Sequence, residues 1–470
     1  METIGFLSLL PPIIALVLAF VTRDALLSIM VGVLVGVGLS GQNLLYGFTG
    51  TIETACGNSD FIWVVLIEIF VGTMVAFFMK SGSMQTLAAK LSNGKRQMTR
   101  RMAQFLSTLL GIFIFFSDYF SPLFTGNVMR GITDKVKVSR EKLAYICDCT
   151  SAPMCICVPF DAWGVYVAGL VVGIGSIASA EIGTNAVVHA TVYQFYGYFT
   201  ILFCLLISLG VIPDFGPMKK AEKRAFETGE VYAKGSNPML SGELDTIQPK
   251  EGVKCNLFIH FIVPALIIIS WTLGTYFIKG SAKTLEAFVL AVLYQAIMLL
   301  VFRMANLREI MSLLVTGTKS VLGAILILGA AYCINSISKT LGTANYIISI
   351  TENWMTPVTL LAMTFLSCSF ISFFTGTSWG TYAIMIPICL PLAFNYTGGA
   401  LSPLIYATIA AVMGGGCFGD HCSPLSDTTI LSSTGSGSDH IDHTRTQLPY
   451  ALTVCGVSLV AYVIVGFCLS

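Results

Sequence analysis

Residues 419–429 read G-D-H-C-S-P-L-S-D-T-T and directly follow the apolar run 402–418. Asp420, His421 and Asp427 fall within eight residues of one another. A charge at the centre of a bilayer costs about 3 kcal/mol or more, so such residues are either kept for function or tightly paired. A polar string in this setting marks a pathway through a membrane.

The rest of the chain fits that setting. Of 470 residues, 55% are hydrophobic and only 11% charged, where a soluble protein has about 25% charged residues. Apolar runs of span length recur from 4–21 to 447–469, the pattern of a polytopic all-α membrane protein. Several runs, such as 119–130 and 343–352, are too short to cross the bilayer alone. They read as half-helices or re-entrant hairpins. The net charge of +1 argues against nucleic-acid binding. The 14 cysteines are scattered through apolar segments and read as small fillers. The start of the chain has no basic n-region, so no cleaved signal peptide is expected. No G-x-x-x-x-G-K-[ST] loop is present, which argues against ATP-driven pumping.

Basic residues set the orientation. Lys80, Lys90, Lys95, Arg96, Arg100 and Arg101 cluster after the third span, and Arg130, Lys135, Lys137, Arg140 and Lys142 after the next pair. These loops are expected in the cytoplasm. The 41–60 loop, with Glu53 and Asp60 but no Lys or Arg, is expected outside. Residues 213–256 form the only long polar stretch and read as a cytoplasmic linker between membrane repeats 1–212 and 257–470. F-F-S-D-Y-F-S-P-L-F-T-G-N at 115–127 falls almost where F-F-T-G-T-S-W-G-T-Y at 373–382 falls in its own half. This internal symmetry has the form of inverted-topology repeats, whose substrate lies where discontinuous helices meet.

Four segments are expected to be unwound: 117–127, 151–161, 375–381 and 414–437. Unwound backbone within a membrane is tolerated only where protein or an aqueous cavity surrounds it. Their carbonyls, hydroxyls and carboxylates are hard oxygen ligands suited to Na⁺ or H⁺. Asp427 is the first candidate for the coupling carboxylate, with Ser423, Ser426 and Thr428 around it; it also fits the N-cap of a helix starting near Thr428. Asp118 is the second, beside Ser117 and Asn127, with a turn residue as its structural alternative. Thr375, Thr377 and Ser378 supply oxygens from the third break. Asp161 reads as either a binding carboxylate or a turn residue. Asp420 and His421 read as either functional or a mutually hydrogen-bonded pair. Glu68 lies inside an apolar span, as a proton relay or an interfacial residue. The D-H-I-D-H run at 439–443 lacks a matching Cys/His set and reads as capping or ion pairing, not as a metal site. The Gly32–Gly36 and Gly169–Gly173 spacings read as close helix packing.

The run G-D-H-C-S-P-L-S-D-T-T-I-L-S-S-T-G-S-G-S-D-H-I-D-H-T-R-T-Q-L-P-Y at 419–450 strongly resembles the NhaC family of sodium/proton antiporters. Segments 115–127 and 151–163 are also similar. The resemblance implies re-entrant hairpins and alternating access, one half moving against the other. It further implies coupling of Na⁺ to H⁺ at Asp427 and Asp118 in a bacterial inner membrane. It places Asp420, His421, Ser423, Ser426, Asp427 and Thr428 in the family's most characteristic segment, and a carboxylate at Asp161 departs from its pattern. No cofactor is expected beyond Na⁺ as the transported or coupling ion. A Na⁺- or H⁺-coupled carrier of a small carboxylate or amino acid is the alternative reading, since the family includes such relatives. A membrane-embedded enzyme is the reading from another class. Dimers are common among such carriers, although no residue here shows one.

Overall fold

The structure, a computed structural model, describes every residue except 1–4, 23, 93–97, 116–117, 160–161, 240–243, 245–246, 251–254, 280–282, 352–353 and 470. Helices account for nearly all regular structure, and the only bridge pairing among the described residues is an isolated one between Pro238 and Asp439. Lipid explains this economy, since a helix satisfies every backbone group within its own segment. Ser59–Ser81 and His440–Leu469 contain the two described stretches that are singly long and apolar enough to cross a membrane. Two further candidates are bent pairs, Leu26–Leu39 with Leu44–Cys56 at 118° and Glu181–Tyr193 with Phe195–Ser208 at 45°.

The first bent pair corrects the expectation of an open loop over 41–60. Asn43 accepts from the backbone N–H of Leu45 and Tyr46 and starts the helix Leu44–Cys56. Its low charge and Asn cap carry a helix signal that the lack of Lys and Arg hid.

The expected breaks are real but shorter than the sequence implies. Residues 120–127 are already helical, within Phe120–Lys135, so most of the expected segment 117–127 is wound. Gly414, Gly415 and Gly416 also lie inside a helix, Pro403–Cys422, so the last unwound stretch shrinks to Ser423–Ser426 and a left-handed Gly437. Close packing explains those glycines. A Cβ on Gly415 would meet the Phe365 carbonyl oxygen at 2.4 Å, and one on Gly416 would meet the Tyr382 ring at 2.4 Å. The Gly32–Gly36 pair packs as expected, since a Cβ on either would meet neighbours at 2.7 Å. Gly169–Gly173 does not. Nothing lies within 4 Å of either Cβ position, and Gly173, at φ 84°, turns the chain.

Two large hydrophobic cores organise the molecule, each drawing on both sides of the linker, and a smaller third gathers Tyr145, Cys204 and Tyr450. One joins Val71 and Phe78 of Ser59–Ser81 and Phe124 of Phe120–Lys135 to Phe288, Ile334 and Leu431. The other joins Trp163 and Tyr196 to Phe365, Tyr382 and Phe418. The stretch after residue 213 is also less open than a linker implies. Gly216–Thr228 is a helix strapped to the base of the bundle. Glu222 takes Arg100 at 2.8 Å and the Ser139 N–H at 2.8 Å, and Arg224 holds both Glu141 oxygens at 2.8 and 2.9 Å. Lys142, fully buried, pairs with Asp214.

Candidate functional site

Two helix–break–helix pairs bring their breaks together. In the first, Arg100–Phe113 gives way to Phe120–Lys135; in the second, Leu360–Thr375 gives way to Ser378–Tyr396. The second break needs Gly376, whose φ of 71° is left-handed and whose Cβ would meet the Leu425 carbonyl oxygen at 2.4 Å. That approach seats the break against the Ser423–Ser426 turn. Trp163 closes the arrangement. Its indole N–H donates to Asp118 Oδ2 at 2.9 Å, and its ring packs on Trp379 and Tyr382 with centroids 5.8 Å away.

Asp427 lies at the centre. Ser426, not Asp427, caps the helix Asp427–Ser436, so the N-cap alternative for Asp427 does not hold. The carboxylate is left for other partners. Its Oδ1 accepts from the Thr428 N–H at 2.8 Å and its Oδ2 from the Tyr119 hydroxyl at 3.0 Å. Asp420, 1% exposed, accepts from Ser378 at 3.0 Å and from Ser426, and the Ser426 hydroxyl lies 3.1 Å from that of Thr428. Asp420 and His421 do not bond each other. They have separate partners, and the His421 ring meets the Tyr196 hydroxyl at 2.7 Å and Cys149 Sγ at 3.3 Å.

The structure adds a carboxylate that the sequence reading missed. Asp148, fully buried one residue before Cys149, accepts from Gln447 Nε2 at 2.7 Å. The Gln447 Oε1 lies 2.8 Å from His443, whose other ring nitrogen lies 2.8 Å from Ser433. The run at 439–443 thus joins a polar chain at its histidines, while Asp439 caps its own helix through the N–H groups of Ile441 and Asp442. A lone Asp in C-D-C-T-S just before a break was the available signal, and the cysteines beside it drew the reading elsewhere. Glu68 is fully buried, and neither of its oxygens has a hydrogen-bond partner.

Glu68, Asp118, Asp148 and Asp420 all lie within electrostatic reach of Asp427. Among the described residues no Lys or Arg pairs with any of these five carboxylates. They do not converge as a three-acid metal shell, so hydroxyls and carbonyls would have to complete the coordination of any cation. The remaining expected residues are spread out. Ser423 braces the turn by donating to the Phe373 carbonyl at 2.7 Å. Asn127 donates to the Leu123 carbonyl at 2.8 Å and lines a separate small cavity with Thr434, so it is not brought to Asp427. Thr375 and Thr377 line a cavity on the far side of their break. Ser117 and Asp161 lie outside the described residues.

Residues 154–467 match the model of the Na⁺/H⁺ antiporter family. An uncharacterized protein of Haemophilus influenzae is 32% identical over all of this chain and 93% of its own length. The malate-2H⁺/Na⁺-lactate antiporter of Bacillus subtilis is 29% identical over 34% of this chain and 33% of its own. The Na⁺/H⁺ antiporter NhaC of Alkalihalophilus pseudofirmus is 27% identical over the same shares.

Proposed function

This chain belongs to the Na⁺/H⁺ antiporter family, and we propose that it exchanges Na⁺ for H⁺ across a bacterial inner membrane by alternating access. One observation carries the reading: five buried or half-buried carboxylates, Asp427 and four within its electrostatic reach, pair with no Lys or Arg among the described residues. Leaving an ion uncompensated in a low-dielectric interior costs several kcal/mol, so such groups are balanced by a bound proton or a bound cation. A carboxylate that holds one cannot hold the other, and that exclusivity is the chemistry of exchange. Na⁺ would sit among Asp427, Asp118 and Asp420 with the Ser378, Ser426 and Thr428 hydroxyls as neutral oxygens. The Gln447–His443–Ser433 chain from Asp148 offers protons a route toward the linker side.

Access would switch between the two cores, which share residues from both 1–212 and 257–470, and not between those two lengths of chain. Tyr119 and Leu425 belong to one core and Trp163 and Tyr382 to the other, so the Asp118–Trp163 bond crosses the boundary that would move. On the distribution of Lys and Arg, residues 213–256 face the cytoplasm.

The test is a Na⁺ pulse applied to proteoliposomes carrying an imposed pH gradient, with no organic solute. Wild type should collapse the gradient and Asp427→Asn should match empty vesicles. An inactive wild type would refute simple Na⁺/H⁺ exchange, and a fully active variant would remove Asp427 from the coupling path.

A further inference from the structure

His440 and His443 stand about one turn apart at the start of the helix His440–Leu469, and both are buried. Their Nδ1 atoms meet the same oxygen. Ser433 Oγ lies 3.1 Å from His440 Nδ1 and 2.8 Å from His443 Nδ1. The linker passes directly beside them. Its Asn237 N–H donates to Asp439 Oδ2 at 2.7 Å, and its Met239 N–H donates to the Ser438 carbonyl at 3.1 Å.

The far nitrogen of each ring fixes where its hydrogens sit. His440 Nε2 lies 2.9 Å from the Pro424 carbonyl, which only accepts, so this nitrogen carries a hydrogen. Gln447 gives its amide hydrogens to two acceptors, Asp148 Oδ2 at 2.7 Å and the His421 carbonyl. That turns Gln447 Oε1 toward His443 Nε2, 2.8 Å away, so His443 Nε2 carries a hydrogen as well. Two neutral rings in these tautomers would aim two bare Nδ1 lone pairs at one hydroxyl. The Ser433 hydroxyl has a single hydrogen, for which the Thr429 carbonyl at 2.8 Å also competes. At least one buried acceptor would then lack a donor, which is costly. One added proton closes the set. An Nδ1–H on one ring donates to Ser433 Oγ, and the Ser433 O–H donates to Nδ1 of the other. A second added proton would put like charges on both sides of one oxygen.

Asp148 supplies the opposite charge. Its Oδ2 lies 3.8 Å from His443 Nε2, and its Oδ1 has no hydrogen-bond partner. Burial disfavours a lone imidazolium and a lone carboxylate alike, but the two together are neutral. This carboxylate and the shorter Ser433 contact favour His443 as the ring that carries the proton. His421 from Pro403–Cys422 also acts on His443, and Asp439, just ahead of the helix, acts on His440. The Asp439 carboxylate is already held by the N–H groups of Asn237, Ile441 and Asp442. The helix Asp427–Ser436 meets the two rings through Ser433, and its own carboxylate, Asp427, stands at its other end.

We infer that Ser433, His440 and His443 form a binding site for one proton, balanced by Asp148 and separate from the Na⁺ site around Asp427. In loading, the His443 Nδ1 lone pair takes a proton from hydronium. One N–H bond forms, one O–H bond breaks, and water leaves. The inference deepens the exchanger reading, on which its role rests, by giving the exchanged proton a loading site on the linker side.

Full-length protein with ring-¹⁵N histidine is reconstituted in liposomes, and solid-state NMR follows the imidazole nitrogens between about pH 5 and 8. A His440→Gln, His443→Gln double variant identifies the signals of the pair. Wild type should gain one imidazolium from the two rings together, and Ser433→Thr, which keeps the hydroxyl, should retain it. Ser433→Ala should bind this proton about tenfold more weakly, charging about one pH unit lower. Two rings that stay neutral in wild type, or that charge alike with and without the Ser433 hydroxyl, overturn the inference. Na⁺-driven proton movement is recorded against pH in the same vesicles. Its profile should move to more acidic pH in Ser433→Ala and return in Ser433→Thr, and an unmoved profile overturns the loading role. A shared imidazolium in a wild type that moves no protons on Na⁺ addition leaves the proton site standing and overturns the exchanger. Exchange with both rings neutral overturns the proton site and leaves the exchanger standing.

Discussion

The Tyr119 hydroxyl donates to Asp427 Oδ2 at 3.0 Å, joining residues 308 positions apart in the chain. The Tyr119 ring is held edge-on to Trp63, with centroids 5.9 Å apart, so the hydroxyl is delivered by packing that does not depend on the bond. A hydrogen bond to a charged group contributes about 1.5–3 kcal/mol. Tyr119→Phe should therefore keep the fold and shift the apparent Na⁺ affinity of exchange about tenfold or more. The Na⁺ dependence of gradient collapse in proteoliposomes measures this; unchanged kinetics would reduce Tyr119 to a packing residue.

Gly376 has no room for a side chain. A left-handed backbone costs an L-residue about 1–2 kcal/mol, and its Cβ would also run into backbone, the Leu425 carbonyl at 2.4 Å. Gly376→Ala should lower the melting temperature of the solubilised protein by several degrees and impair exchange, because the break and the Ser423–Ser426 turn cannot stay in register. A variant as stable and active as wild type would show that the two breaks are not tightly docked.

These two residues show what a single sequence can and cannot reveal. Asp420, Ser426 and Asp427 were legible because their ligand-like spacing is local, and Asp118 because an acid stood out in an apolar run. The break at 375–378 was legible from its Thr, Gly and Ser. The partnership of Tyr119 with Asp427 and the role of Gln447 toward Asp148 were not. Each depends on how distant helices pack, and apolar helices of similar composition carry little information about their neighbours. The glycines at 414–416 were misread for the same reason. Glycine marks both unwound backbone and close approach, and only the Phe365 and Tyr382 contacts decide which. The helix Gly216–Thr228 was hidden by its charge, which reads as solvated until Arg100 and Glu141 are seen opposite it.

Lys142 is fully buried and its partner Asp214 also accepts from the Tyr450 hydroxyl at 2.6 Å. Removing one member of a buried ion pair strands the other, at a cost of about 3 kcal/mol or more. Asp214→Asn should therefore destabilise the protein far more than Lys223→Gln, whose ion pair with Glu227 is exposed and contributes little. Melting curves of the two variants in detergent settle the comparison, and equal losses would contradict the strap at the base of the bundle.

Glu68 lies within electrostatic reach of Asp427 with both oxygens unpartnered. If it lends negative potential to the cation site, Glu68→Gln should fold normally and require more Na⁺ for half-maximal exchange. Glu68→Asp should require less Na⁺ than the Gln variant does. Identical Na⁺ curves for wild type and Glu68→Gln would exclude Glu68 from the site.

The central claim is that Na⁺ and H⁺ compete for the same buried carboxylates, and proton release on Na⁺ binding tests it most directly. Purified protein in detergent, in unbuffered solution with a pH-sensitive dye, is mixed with NaCl or with choline chloride. The account predicts acidification on Na⁺ addition, none with choline, and loss of the signal in the Asp118→Asn, Asp427→Asn double variant. Na⁺ binding without proton release, or release that persists in the double variant, would contradict it.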